Sequence, residues 1–342
     1  MKPSCRASTA EALNRKAANP GKVPQDNAVE YYSQRARGSE GGLILTEATP
    51  ISETAHGYPC VPGIYTEEQI KGWKKTVKAV KAVGPTFFMQ IWDGGRSSHN
   101  EFRPGKAQPL SPTDEQPEGD VYLPDGNPAK FLKPQAIDKA GITKLIEEFR
   151  QAAANAISGG FDGVEIHGAN GYIIDQFIRP KPNQRTDEKS DRLGIRLSPY
   201  GQFGDVDDDK PNETDIYLTQ QLNHFGLAYI HFVEPRVGGN TDCEVRHDSF
   251  DTQHFCKVWK GTFMSAGGYK RDNAIHALKH NQTDLVCVGR HYLSNPDLPR
   301  WWRENALLNK SNCDLFYSQG NEGYIYYPFL DGVPEAAKKF FS

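Results

Sequence analysis

The segment Phe161-Asp162-Gly163-Val164-Glu165-Ile166-His167-Gly168-Ala169-Asn170-Gly171-Tyr172 reads as a buried strand that runs straight into a polar cluster. Its last six residues, His167 to Tyr172, hold two hydrogen-bonding side chains and a phenol. If the run is one strand of a parallel barrel, these groups lie at its C-terminal end, where that architecture gathers its chemistry. Such a cluster can grip a carbonyl oxygen and deliver a proton.

Six more short apolar runs resemble it: Leu43-Ile44-Leu45, Thr86-Phe87-Phe88-Met89-Gln90, Gly194-Ile195-Arg196-Leu197, Tyr229-Ile230-His231-Phe232-Val233, Gly261-Thr262-Phe263-Met264-Ser265 and Asp284-Leu285-Val286-Cys287-Val288. Successive runs are separated by enough chain for a helix, the rhythm of parallel strands with helical crossovers. An eighth strand fits only at the extreme N-terminus, around residues 1 to 5. Because this alternation runs without a compositional break, linker or repeat, we expect an α/β fold in one domain over residues 1 to 342, a (β/α)8 barrel in preference to an open doubly wound sheet.

Two crossovers read clearly as helices. Thr66 and Gln69 can form a capping box ahead of the stripe Ile70, Trp73, Val77 and Val80. From Ile142, the stripe Leu145, Ile146, Phe149, Ala153 and Ile157 ends at Gly159-Gly160. The Pro/Gly-rich stretch from Arg103 to Pro134 is too long for a simple connector and reads as a lid after the third strand. The acidic stretch from Gly201 to Asp215 reads as a solvated surface loop.

The 342 residues carry a formal charge of -3, which offers no electrostatic attraction to nucleic acid or an anionic membrane. No stretch approaches the roughly 18 to 20 apolar residues of a bilayer span, and Met1-Lys2-Pro3-Ser4 is not a secretory signal. The end Lys339-Phe340-Phe341-Ser342 lacks a Ser-Lys-Leu address, so a soluble, cytoplasmic, small-molecule role is expected. Cys5, Cys60, Cys243, Cys256, Cys287 and Cys313 are scattered and read as free thiols. His276 and His280 stand one helical turn apart, but nothing nearby completes a ligand set, and no metal is expected.

The run from His167 through Tyr172 to Ile173-Ile174-Asp175-Gln176-Phe177, followed by Arg185-Thr186-Asp187-Glu188, closely resembles the signature of the old yellow enzyme family, in its plant 12-oxophytodienoate reductase branch. Supporting motifs follow in order along the chain: Glu30-Tyr31-Tyr32-Ser33-Gln34-Arg35, His56-Gly57-Tyr58-Pro59, Val61-Pro62-Gly63-Ile64-Tyr65, Gly267-Gly268-Tyr269, Gly289-Arg290, Ser294-Asn295-Pro296-Asp297-Leu298 and Tyr327-Pro328-Phe329-Leu330. The resemblance implies an FMN-containing (β/α)8 barrel that uses NADPH to reduce the carbon-carbon double bond of α,β-unsaturated carbonyls. It also implies a place in oxylipin and lipid metabolism, and a monomer or weak homodimer.

Residue by residue, the resemblance puts Gln90 on the flavin pyrimidine edge and Arg196 near the flavin N1 and C2 carbonyl. There a guanidinium stabilises the charge that reduction places on the ring. Gly267, Gly268, Gly289 and Arg290 would hold the phosphate, and the Ala48 backbone would touch the ring. His167 and Asn170 would donate to the substrate carbonyl, Tyr172 would protonate the α carbon, and Arg236 would lie on the substrate side. Taken alone, Gln90 reads as a satisfied strand-end amide, Arg196 as an ion pair, Arg236 as a surface charge, and His167 with Tyr172 as packing on a barrel rim.

Three departures from the family pattern shape these expectations. Family members begin with a β-hairpin floor and a first strand ending in Ala-Pro-Met-Thr-Arg, whose threonine bonds the flavin. Here Pro3, Ser4 and Cys5 align with it as cofactor contacts, or Cys5-Arg6-Ala7 match the residues just beyond; the threonine is not preserved. After Glu188, where the family has Tyr-Gly-Gly-Ser and a full helix, Lys189-Ser190-Asp191-Arg192 leads directly to Leu193. The expected barrel is therefore incomplete at strand one and at the helix between strands four and five, with the outer faces of those two strands short of cover. Asp93 stands where the family commonly has histidine, and Ile325-Tyr326 replace Thr-Asp. Two functions stay open: the enone reductase, or a truncated family member without stable flavin binding, weak or inactive in catalysis.

Overall fold

The computed structural model describes residues 7–8, 21–39, 41–178, 193–201, 208, 210–238, 241–242, 252–316 and 320–332. The seven apolar runs and Ala7–Ser8 form eight parallel strands: β1 (Ala7–Ser8), β2 (Leu43–Leu45), β3 (Thr86–Trp92), β4 (Gly163–Gly168), β5 (Leu193–Leu197), β6 (Tyr229–Val233), β7 (Thr262–Ala266) and β8 (Leu285–Cys287). They hydrogen-bond in the order β1-β8-β7-β6-β5-β4-β3-β2. The end strands β1 and β2 lie against each other, so the sheet curls into a barrel. The first strand lies at Ala7–Ser8 and spans two residues; residues 1 to 5, where it was expected, fall outside the described residues.

Around the sheet run α1 (Asp26–Gly38), α2 (Glu67–Lys81), α3 (Lys139–Ser158), α4 (Ile173–Ile178), α5 (Pro211–Leu222), α6 (Gln253–Val258), α7 (Arg271–Lys279), α8 (Arg290–Ser294) and α9 (Leu298–Arg303). Strands covered on both faces read as continuous apolar runs, without polar alternation. Leu45, Phe88, Tyr229, Met264, Ala266 and Cys287 form one cluster, the apolar filling of the barrel. Gly194 makes room within it, since a Cβ there would stand 2.4 Å from the Tyr229 ring.

The outward residues Ile44, Phe87, Met89, Ile91 and Val164 pack on Tyr31, Tyr32, Ile70, Trp73, Val77, Leu145, Ala152 and Ala156 of α1, α2 and α3. Each such aliphatic or aromatic side chain contributes ~1.5–3 kcal/mol when fully buried. On the far side Ile195, Leu197, Ile230, Phe232 and Phe263 pack with Phe255 and Trp259, while Val286 and Val288 meet α7 and α9.

The expected capping box is present: Thr66 Oγ1 accepts from the Gln69 backbone at 3.2 Å, and Gln69 Oε1 accepts from the Thr66 backbone at 3.1 Å. α3 is longer than its stripe suggested. Its N-cap is Asp138, whose carboxylate accepts from the Gly141 backbone at 2.7 Å. Its buried face also differs, because Leu145, Ala152 and Ala156 are buried whereas Ile146 and Ile157 are exposed. Alanines let α3 lie close on the sheet, which rotates both isoleucines outward.

The expected lid gains internal structure, and two other expectations change. The Arg103–Pro134 stretch folds as an antiparallel hairpin, Asp120–Tyr122 against Pro128–Lys130, over its own small core of Phe102, Val121 and Phe131. Within the Gly201–Asp215 stretch, α5 already begins at Pro211, and Asp215 is buried. The outer face of β4 and β5 is covered: Ile195 and Leu197 are buried, with Ile166, Ile178, Ile216 and Leu218 packed in the same cluster. Residues 179–192, where the missing helix was expected, lie outside the described residues. Cys60, Cys256, Cys287 and Cys313 are free thiols, and Cys5 and Cys243 fall outside the description. No helix among the described residues is long and apolar enough to cross a membrane.

Candidate active site

Above the apolar filling the barrel interior turns polar. Strand pairing sets Gln90 beside Glu165, and Arg196 beside both His167 and His231. Because side chains alternate along a strand, Glu165 and His167 share the inward face of β4. Glu165 accepts from Gln90 Nε2 at 2.7 Å and pairs with His231 Nδ1 at 3.0 Å. Gln90, Glu165 and His231 are all fully buried. Burial by itself would raise the Glu165 pKa, but His231, Arg196 and the Gln90 hydrogen bond reverse this and hold it at about 2.

One step further toward the strand ends stands His167. Burial and the Arg196 and His231 charges push its pKa down to about 3, against the opposing pull of Glu165. The imidazole is therefore neutral near pH 7. Its Nδ1 accepts the Ala169 backbone N–H at 3.3 Å, which places the ring proton on Nε2. Among the described residues Nε2 has no protein partner, so this proton is left to donate outward.

The next residues form a tight left-handed turn, Asn170 at φ 59° and Gly171 at φ 68°. Asparagine and glycine are the residue types that take this region most readily. The turn is held from outside: the Asn170 N–H donates to Ser198 Oγ at 2.7 Å, the Gly171 N–H to Asp175 Oδ2 at 2.8 Å, and Gln176 Nε2 to the Gly171 carbonyl at 2.6 Å. The Asn170 side-chain amide makes no hydrogen bond within the described residues. Tyr172 closes the turn with its ring edge-on to His167 at 5.0 Å and to Trp92 at 5.1 Å. Its hydroxyl lies 3.2 Å from that of Tyr58, which stacks on Trp92.

The other expected residues follow the ends of β2, β6, β7 and β8. Ala48 packs beside Val61, Trp92 and Tyr172. Gly267 and Gly268 follow β7 at φ 105° and 65°, and a Cβ on Gly267 would stand 3.0 Å from the Glu234 carbonyl. Glycine takes this positive φ without strain and lets the Glu234 backbone approach closely. Gly289 precedes α8, and Arg290 begins it. Arg236, expected on the substrate side, donates from Nε to the Gly267 carbonyl at 3.1 Å and lies 4.4 Å over the Tyr269 ring, so it braces the turn after β7. Pro3, Ser4 and Cys5 fall outside the described residues. Asp93 is buried at the end of β3, where burial raises its pKa to about 6 while the Gly95 N–H and Arg103 pull it down.

Reading by residue type overlooked Glu165, His231 and Tyr58. A carboxylate inside an apolar strand, two places before the histidine, was the available signal for Glu165, since buried charge demands a partner. Tyr58 gave none, because its approach to Tyr172 spans 114 positions.

The NADH:flavin oxidoreductase / NADH oxidase family profile matches residues 6–190 and 188–309. The chain belongs to this family. The two matched segments meet at 188–190, where the sequence passes directly toward β5. Rice (Oryza sativa subsp. japonica) 12-oxophytodienoate reductase 1 is 42% identical over 93% of this chain and 88% of its own length. Arabidopsis thaliana 12-oxophytodienoate reductase 2 is 41% identical, covering 92% of this chain and 89% of its own. Among solved structures, morphinone reductase superposes with a TM-score of 0.84 at 36% identity, over 95% of this chain and 92% of that one. Morphinone reductase in complex with tetrahydroNAD gives 0.83 at 35% identity, over 95% and 94%. The resemblance to the old yellow enzyme family and the barrel fold are thus borne out, and the chain is a member of a family of flavin oxidoreductases.

Proposed function

We propose that this protein reduces the carbon-carbon double bond of α,β-unsaturated carbonyl compounds, with FMN as cofactor and NADPH as reductant. The observation that carries the reading is the neutral His167, whose Nε2 proton has no partner in the described protein, next to the uncommitted Asn170 amide and the Tyr172 phenol. Two donors beside a proton source suit a carbonyl oxygen and the carbon next to it.

The residues present fit a flavin. Gln90 Oε1 is buried without a hydrogen-bond partner among the described residues, an acceptor suited to the imide N–H of a pyrimidine edge. Arg196 adds positive charge where reduction would place negative charge. Gly267, Gly268, Gly289 and Arg290 suit a phosphate, as the ends of the last two strands do in such barrels, and the Ala48 backbone suits the ring. Pro3, Ser4 and Cys5 are the proposed N-terminal contacts. When bound, FMN supplies hydride to the β carbon of the substrate.

The protein's own part begins with His167 and Asn170, which draw electron density onto the carbonyl oxygen as hydride arrives. Because His167 is neutral, it stabilises the developing oxyanion by donating a hydrogen bond and keeps its proton. Tyr172 delivers its phenolic proton to the α carbon, and Tyr58, in hydrogen-bond contact with it, orients that hydroxyl. Trp92 fixes both tyrosine rings. Arg236 acts on the substrate side through the turn it braces.

We further propose a cytoplasmic, single-domain protein, monomeric or weakly dimeric, with a role in oxylipin metabolism. The visible spectrum of the purified protein reconstituted with FMN tests the cofactor. A bound-flavin band near ~450 nm that bleaches with NADPH and recovers with an enone is expected. A protein that retains no flavin would instead be a non-catalytic family member.

A further inference from the structure

Glu165 is buried completely, faces the barrel interior, and takes no part in the reaction outlined above. Its two oxygens are both committed, one to Gln90 Nε2 at 2.7 Å and one to His231 Nδ1 at 3.0 Å. An ionised carboxylate has only acceptors to offer. The Gln90 amide must therefore turn its NH2 toward Glu165, and its carbonyl Oε1 becomes the atom left over. That oxygen is buried and has no hydrogen-bond partner among the described residues. The Gln90 backbone is pinned too, since its N–H donates to Thr46 Oγ1 at 3.0 Å. A glutamine without such a neighbour can present either end of its amide to a ligand.

We infer that Glu165 is a positioning residue that fixes the polarity of the Gln90 amide, so that the site presents a carbonyl acceptor to the imide N–H of the flavin pyrimidine ring. The inference rests on the flavin reading above and adds to it the residue that makes Gln90 selective. His231 holds the carboxylate from its far side, so that the oxygen facing Gln90 stays in place. Arg196, beside His167 on the neighbouring strand, exerts the opposite charge on Glu165. Glu165 therefore has a second effect, which is to offset part of the Arg196 charge that a bound flavin would feel.

Two substitutions separate these effects. Glu165→Gln removes the charge and lets the Gln90 amide rotate. Glu165→Asp keeps the charge but withdraws the oxygen from Gln90 by about one carbon-carbon bond; it also serves if the first variant does not fold. FMN dissociation constants are measured by flavin fluorescence quenching on apoprotein, with the midpoint potential of the bound flavin as a second readout. Both variants should bind FMN roughly ten- to a hundredfold more weakly, the effect of an unfulfilled buried hydrogen bond. The potential should move positive in Glu165→Gln and stay in place in Glu165→Asp. Adding either change to Gln90→Ala should weaken binding no further, because Glu165 acts through that amide. FMN affinity within twofold of wild type in both variants, or losses that add to that of Gln90→Ala, would overturn the inference. Failure of the wild-type protein itself to bind FMN would instead reject the flavin reading, and this inference with it.

Discussion

Asn170 allows the role of a side chain to be separated from that of its backbone. It sits at φ 59°, its N–H is held by Ser198, and its amide group binds nothing in the described protein. Asn170→Gly deletes the amide while suiting the left-handed backbone. Asn170→Ala deletes the same group but places alanine where L-residues are strained by about 1 kcal/mol. Neither change orphans a partner, so the stability difference between them is that strain less the extra backbone entropy glycine loses on folding. At ~2.1 cal/mol/K per residue, unfolding of a chain of this length has an entropy near ~0.7 kcal/mol/K, and ~1 kcal/mol lowers Tm by roughly 1 to 2 °C. Loss of one donor to a developing oxyanion slows the step by about 10²- to 10³-fold. Stopped-flow absorbance should thus show both variants slowed to that extent in enone reduction, with flavin reduction by NADPH preserved and only Asn170→Ala melting lower. If Asn170→Gly retained the wild-type rate of enone reduction, the amide would not be a donor and the proposed carbonyl clamp would fail.

Further outcomes follow from the same geometry. Tyr172→Phe should slow enone reduction by about 10²- to 10⁴-fold while sparing flavin reduction by NADPH; equal loss in both steps would reject the proton-donor role. Asp93 has a folded-state pKa raised to about 6 from an ordinary value of 3.8. Its proton is bound more tightly in the folded state, so its contribution is fully present below the unfolded value and is lost as pH rises through about 6. Asp93→Asn keeps an oxygen for the Gly95 N–H and should be more stable than wild type at pH 8 by on the order of 1–3 kcal/mol, the difference fading toward pH 4. A difference in Tm that does not vary with pH would contradict the raised value. On α3, Ile146→Glu should alter stability by less than about 0.5 kcal/mol, whereas Leu145→Ala should cost about 2–3 kcal/mol in chemical denaturation. Comparable losses from both would mean that the helix is rotated from the orientation described.

Sequence reading located seven of the barrel strands and the turn after the fourth because both depend on local chemistry. Buried parallel strands need continuous apolar runs, and the turn needs Asn170 and Gly171 in left-handed conformation next to the groups it displays. α3 shows the limit of that reading. Its period was evident, but the choice between Ile146 and Ala152 as the buried face depends on how closely the helix approaches β3 and β4.

A parallel barrel, and a turn that carries His167, Asn170 and Tyr172 at the end of its fourth strand, the proposed carbonyl clamp, were determined by the sequence itself. Only the tertiary structure decided the protonation state and direction of those groups. His167 is neutral because burial and the Arg196 and His231 charges outweigh Glu165, and its proton faces outward because the Ala169 N–H occupies Nδ1. Likewise, the Gln90 amide is oriented by a carboxylate 75 positions away. Electric fields and hydrogen-bond polarity depend on distances across the barrel, and Gln90, Glu165, Arg196 and His231, from four separate strands, meet there only once the sheet has curled.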